Sequence, residues 1–92
     1  MNHNAMIDPR IPHIKEGESP LKAIRKALGL SQTELAVKIG VSLPTISRWE
    51  NGHTPATFTV PQIKALNALL RQLGLTIDNL PDDLGPQPKS ES

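Results

Sequence analysis

Thr45, Ser47, Arg48 and Asn51 fall within one short stretch, Ser42-Leu-Pro-Thr-Ile-Ser-Arg-Trp-Glu-Asn51, and their types suit hydrogen bonding to base edges and phosphates. At about 100° per residue measured from Ile46, a helix here gathers Pro44, Ser47, Arg48 and Asn51 on one side and turns Ile46 and Trp49 to the other. Such a helix fits the major groove of B-DNA. Arg48 can donate two hydrogen bonds to guanine O6 and N7, worth about 1–3 kcal/mol of base discrimination, and Ser47 and Thr45 can donate or accept. A thymine methyl can meet Leu43, Pro44 or the Thr45 methyl. Exposed Ser, Arg and Asn are ordinary one by one, so the argument rests on their convergence. Upstream, Ser31 and Gln32 open another helix, where free backbone N–H groups and the positive dipole end favour a phosphate. A phosphate contact by Gln32 positions a protein without specifying sequence.

The elements that carry these residues are marked by their caps. Ser31 to Glu34 is a capping box, which starts a helix with Leu35, Ala36 and Ile39 on its inner face and Gly40 at its end. Ser42 caps the next, Leu43 to Asn51, where Pro44 is tolerated because first-turn N–H groups are unpaired anyway. Val41 is expected to be buried in the turn between them. Two helices joined by so short a turn cross steeply, and the closest approach demands small residues, a demand Ala36 and Gly40 would meet. Compact helical bundles of other functions contain such corners too.

Around this pair the sequence places three more pieces. Ser19-Pro20 opens a helix in which Leu21, Ile24 and Leu28 recur until Gly29. Arg25 falls on that apolar stripe and Glu50 lies about 40° from Ile46, close to the inner face, so the two are expected to pair rather than be buried alone. Thr59 to Gln62 is a second capping box before the longest helix, with Ile63, Leu66, Leu69, Leu70 and Leu73 in the core and Gly74 at the end. Leu75, Ile77, Leu80 and Leu84 predict one more short helical turn, packed on the core by default and otherwise available to a dimer or a partner. No stretch alternates with period two, so the fold class is all-α, a compact bundle of four to five helices. The expected organisation is a flexible arm over 1–19, a domain over 20–84 with its helix pair at 32–51, and a disordered tail over 85–92.

The whole chain of 92 residues accommodates one such domain. It has no cysteine, consistent with a reducing interior, and no apolar run of membrane-spanning or signal-peptide length, so a soluble cytoplasmic protein without a membrane partner is expected. The net charge of +1 hides an asymmetry: Lys22, Arg25, Lys26, Lys38 and Arg48 stand against Glu34 and Glu50 in the middle, whereas Asp78, Asp82, Asp83 and Glu91 outweigh Lys89 at the end. That balance admits a polyanion and does not require one.

Catalysis is the least favoured class. His3, His13 and His53 lack metal-ligand spacing, there is no phosphate-binding glycine loop, and no carboxylate pair is expected on a cleft wall. No metal, cofactor or catalytic residue is assigned. Trp49 and Phe58 are the only aromatics and Trp49 is expected inside, which leaves no stacking platform for RNA. A ligand-sensing repressor is also disfavoured, because no second domain large enough for an effector is expected in these residues.

Gly29-Leu-Ser-Gln-Thr-Glu-Leu-Ala followed by Ile39-Gly-Val-Ser-Leu-Pro-Thr-Ile-Ser-Arg-Trp-Glu-Asn-Gly resembles the phage-repressor/Cro helix-turn-helix family, also called the XRE family. The likeness is close over 21–52 and looser over 61–80. It implies a lambda-repressor-like fold and sequence-specific binding of double-stranded DNA as a homodimer on a palindromic operator, usually for repression. By motif position it assigns phosphate contacts to Gln32 and Asn51, base contacts to Leu43, Pro44, Thr45, Ser47 and Arg48, and a structural ion pair to Arg25 and Glu50. Ser31 joins the phosphate set, as does His53, the one basic residue of the 53–59 loop. That loop is longer than the family's usual one, and Leu43 and Pro44 are poor hydrogen-bond partners for bases. Affinity is then expected to draw on paired half-sites one helical turn apart, or on a partner protein. The rival reading is an antitoxin that binds a toxin and represses its own promoter.

Overall fold

Each of four α-helices among the described residues begins at a hydroxyl that accepts a backbone N–H three residues on: Ser19 from Lys22, Ser31 from Glu34, Ser42 from Thr45 and Thr59 from Gln62. In this computed structural model, which describes residues 17–86, the helices are α1 (Pro20–Ala27), α2 (Gln32–Ile39), α3 (Leu43–Asn51) and α4 (Val60–Arg71). A 3-10 turn, Ile77–Asn79, follows, and no strand occurs among the described residues. The all-α class is as the absence of period-two alternation predicts, and the four main elements begin where the caps place them. Pro20, Pro44 and Pro61 sit at first or second helical positions, where no intrahelical N–H is lost. Glu34 and Gln62 complete their capping boxes by accepting from Ser31 N and Thr59 N at 2.8 and 2.9 Å. The Ser31 backbone N–H holds the Glu34 carboxyl below its ordinary value, and the Ser31 hydroxyl adds to this.

The core is built from Leu21 and Ile24 of α1, Leu35, Ala36 and Ile39 of α2, Ile46 and Trp49 of α3, and Leu66, Leu69 and Leu70 of α4. Val41, Ile63 and Leu73, expected in the interior, are half-buried against it. The fifth element is shorter than a turn of α-helix, yet Leu75 and Leu84 are buried and Ile77 and Leu80 pack beside them. Asn67 of α4 accepts the Ile77 N–H at 3.1 Å and so docks this turn on the longest helix.

Ala36, 3% exposed, belongs to the buried face of α2, a helix that packs on both α3 and α4. Gly40 has a different reason from the one its spacing suggests. A Cβ there would meet nothing within 4 Å, but its φ of 93° is left-handed, a conformation that costs an L side chain and lets Gly40 N and Val41 N both return to the Ala36 carbonyl. Gln62 adds a tie across the turn, donating Nε2 to the Gly40 carbonyl at 3.2 Å. Overpacking the crossing with Ala36→Leu is expected to cost about 1–3 kcal/mol. The check is a urea midpoint, and an unchanged one would mean that α2 and α3 do not approach at Ala36.

The domain boundaries differ from expectation at both ends. Ser19 is buried and its hydroxyl donates to the Leu84 carbonyl, so it belongs to the packed domain rather than to an arm. Leu21 N also donates to Leu84 O, at 3.5 Å. Gly85 and Pro86, expected in a disordered tail, are half-buried, with Pro86 covering Gly52 so closely that a Cβ on Gly52 would lie 3.0 Å from its Cδ. Residues 1–16 of the expected arm, including Arg10-Ile-Pro-His-Ile14, and residues 87–92 lie outside the described residues.

Candidate nucleic-acid interface

What presents α3 to solvent is the way its other side is held. Ile46 and Trp49 are buried, and the Trp49 ring meets Phe58 edge-on, with centroids 5.0 Å apart and planes at 63°. Phe58 went without a role in the sequence. Its one signal was a bulky apolar residue immediately before the Thr59 cap, in a loop otherwise short of core residues. With Ala56 it folds the 53–59 segment back onto the core beneath α3.

On the outer side, Leu43 is 42% exposed, Pro44, Arg48 and Asn51 are exposed, and Thr45 and Ser47 are half-buried. The residues grouped by helical angle therefore share one surface. They are also tied to one another. The hydroxyls of Ser42 and Thr45 lie 2.8 Å apart, Arg48 Nη2 donates to Thr45 Oγ1 at 3.4 Å, and Asn51 Nδ2 donates to Ser47 Oγ at 3.4 Å. These last two bonds are long and exposed, so they order the side chains loosely and leave the guanidinium and amide free to exchange them for a base or phosphate.

Behind this surface, Arg25 and Glu50 meet as a bidentate pair. Arg25 Nε and Nη2 donate to Glu50 Oε2 and Oε1 at 2.7 and 3.0 Å, and Arg25 Nη1 donates to the Leu30 carbonyl at 3.0 Å. Glu50 is only 4% exposed. Two parallel N–H···O bonds give such a pair directional stiffness as well as charge neutralisation. The pair links α1 to α3 and holds the tilt of the outward face. A third donor was not anticipated: Gln32 Nε2 reaches Glu50 Oε1 at 3.0 Å. The glutamine read as a phosphate contact is thus half-buried and partly engaged inside the protein, with its second amide hydrogen and its carbonyl oxygen still uncommitted to Glu50.

The other phosphate candidates differ in setting. Ser31 is exposed at the start of α2 and accepts Glu34 N, while Asn51 ends α3 on its exposed side. His53 is exposed just beyond Gly52, its backbone N–H bonded to the Arg48 carbonyl. Its neighbours Gly52 and Thr54 help to line an open cleft of about 300 Å³ that also includes Asp82 and Asp83. This overturns the expectation that no carboxylate pair lines a cleft. Linear spacing hid it, because the tail returns to α3 only through the burial of Leu84. Asp83 Oδ1 accepts Gly85 N at 2.9 Å, a side-chain-to-backbone bond that shapes the turn. The two acids make that edge unfavourable to phosphate, so of the four candidates His53 has the weakest electrostatic case.

Among the described residues no helix is long and apolar enough to cross a membrane, and no group of three or more His, Cys, Asp or Glu side chains is placed to hold a metal. The sequence profile described as helix-turn-helix matches residues 21–80, from the second residue of α1 through the 3-10 turn. A propionyl-CoA carboxylase regulator from Cereibacter sphaeroides is 35% identical over 60 residues, covering 65% of this chain and 12% of that protein. The chain thus spans about an eighth of the length of the curated relative it matches. No solved structure matches it significantly. An outward polar face on the second helix of the pair, the buried bracing behind it and a profile match across the whole bundle converge: this chain belongs to the XRE-type helix-turn-helix family of DNA-binding regulatory domains.

Proposed function

We propose that the protein is a sequence-specific transcriptional repressor that binds a palindromic operator as a homodimer, with α3 in the major groove. The observation that carries this reading is the exposed, convergent set on α3. Arg48 reads guanine, Ser47 and Thr45 assist, and Leu43 and Pro44 meet thymine methyls; Ser31, Gln32 and Asn51 touch phosphates, with His53 a minor contributor. One α3 offers a single strong base reader, so specificity needs the second copy, with half-sites one helical turn apart. No catalytic step, cofactor, metal or small-molecule ligand belongs to this function.

Selection of bound sites from random DNA with the purified protein is the direct test. Enriched palindromes support a dimeric reader, and enrichment of a single unpaired half-site would remove the dimer. No enrichment would reject sequence-specific binding and move weight to the antitoxin reading. Of the four residues that reading would draw on, Leu75 and Leu84 are buried in the core, whereas Ile77 and Leu80 are half-buried.

On a selected operator, Arg48→Ala is expected to cost about 1–3 kcal/mol of binding, concentrated at one base pair per half-site. Gln32→Ala is expected to weaken operator and random duplexes alike without altering the salt dependence, since a neutral amide displaces no counterion. Titrations of both variants on both DNAs at several salt concentrations measure this. Equal losses on operator and random DNA for Arg48→Ala would exclude it as a base reader.

A further inference from the structure

The ion pair between α1 and α3 does not close on itself. Of the three hydrogen bonds that Glu50 accepts, two come from Arg25 and the third from Gln32 Nε2, at 3.0 Å. A planar amide nitrogen carries two hydrogens about 120° apart, so holding one in place also aims the other. We propose that Glu50 is a positioning residue for DNA binding: by accepting one Nε2 hydrogen of Gln32 it directs the second at a phosphate of the DNA backbone. The inference rests on the reading of Gln32 as a phosphate contact.

Three features favour a positioning role over mere satisfaction of a buried carboxylate. The tether runs from a residue 4% exposed to one that is half-buried, so a rigid anchor holds a group at the surface. Arg25 neutralises Glu50 through both oxygens and is itself fixed to the Leu30 carbonyl, so the anchor brings no net charge toward a phosphate. A solvated glutamine at a helix start samples many rotamers that binding must freeze, whereas this one is restrained before DNA arrives. The consequence is that a residue with no DNA contact of its own sets the strength of a sequence-independent contact. Charge at position 50 thereby acts on affinity rather than on specificity.

The test is a coupling measurement on random-sequence duplex DNA. In the otherwise unaltered protein, Gln32→Ala is expected to weaken binding about fivefold. In an Arg25→Met, Glu50→Leu background the same substitution is expected to cost less than about twofold, because the untethered amide no longer contributes fully. Equal factors in the two backgrounds would overturn the positioning role and leave Gln32 as a phosphate contact in its own right. No loss in the unaltered background would reject the phosphate contact itself, and the positioning role with it. If the double substitution does not fold, the Gln32 side-chain amide resonances of the unsubstituted protein decide. On adding random duplex, one hydrogen should keep its shift while the other moves. Movement of both together would overturn the tether, and movement of neither would reject the phosphate contact.

Discussion

Glu50→Leu should remove about 3–5 kcal/mol of folding stability, most of what a domain of this size possesses. The loss comes less from a missing attraction than from what is left behind. Arg25 has only 12% of its side chain exposed, and without the carboxylate two of its donors point into a site built for anion oxygens. Replacing both partners, as Arg25→Met with Glu50→Leu, should recover the greater part of the loss, because two well-packed apolar side chains carry no desolvation debt. Recovery is incomplete for a reason visible in the hydrogen bonding, since the Leu30 carbonyl loses Arg25 Nη1 and Gln32 loses its acceptor. Urea unfolding of the two singles and the double measures the cycle. A double variant less stable than either single would mean that the pair contributes by attraction alone.

Trp49→Ala is expected to cost about 3–5 kcal/mol, by loss of buried area and by the cavity it leaves. Trp49 is 5% exposed, belongs to the core face of α3, and meets the Phe58 ring edge-on. Removing it frees Phe58 and with it the 53–59 loop, so the damage should extend to the segment after α3. Trp49→Phe keeps an aromatic edge for Phe58 and should lose less than half as much. Circular dichroism melts of the two variants compare them. A loss below about 1 kcal/mol for Trp49→Ala would show that the interior collapses around the gap instead of leaving it open.

Much of this architecture was legible in the sequence because it is decided locally. A cap such as Ser31 with Glu34 needs only four consecutive residues, and all four hydroxyl caps open helices where their spacing placed them. The approach of Arg25 and Glu50 was also legible, since two charges on two apolar stripes have few other solutions. What local chemistry could not supply were contacts between distant segments. Phe58 on Trp49, Gln62 on the Gly40 carbonyl, Gln32 on Glu50 and the return of Pro86 to Gly52 all depend on how the helices are stacked, which no spacing rule encodes. Gly40 shows the same limit in another form: its small size was anticipated, but the cause lies in a backbone angle rather than in crowding.

The bonds from Ser19 and Leu21 to the Leu84 carbonyl tie residues 65 and 63 positions apart, and they bring the two ends of the bundle to one corner. A unit closed in this way enters and leaves a polypeptide at a single point. It can be set into a longer chain by opening one surface turn of the host, without stretching the host or threading it around the bundle. The same corner is a natural place to join the ends with a short bridge and reopen the chain elsewhere, for instance at the exposed 53–55 turn, leaving the order of packed helices intact.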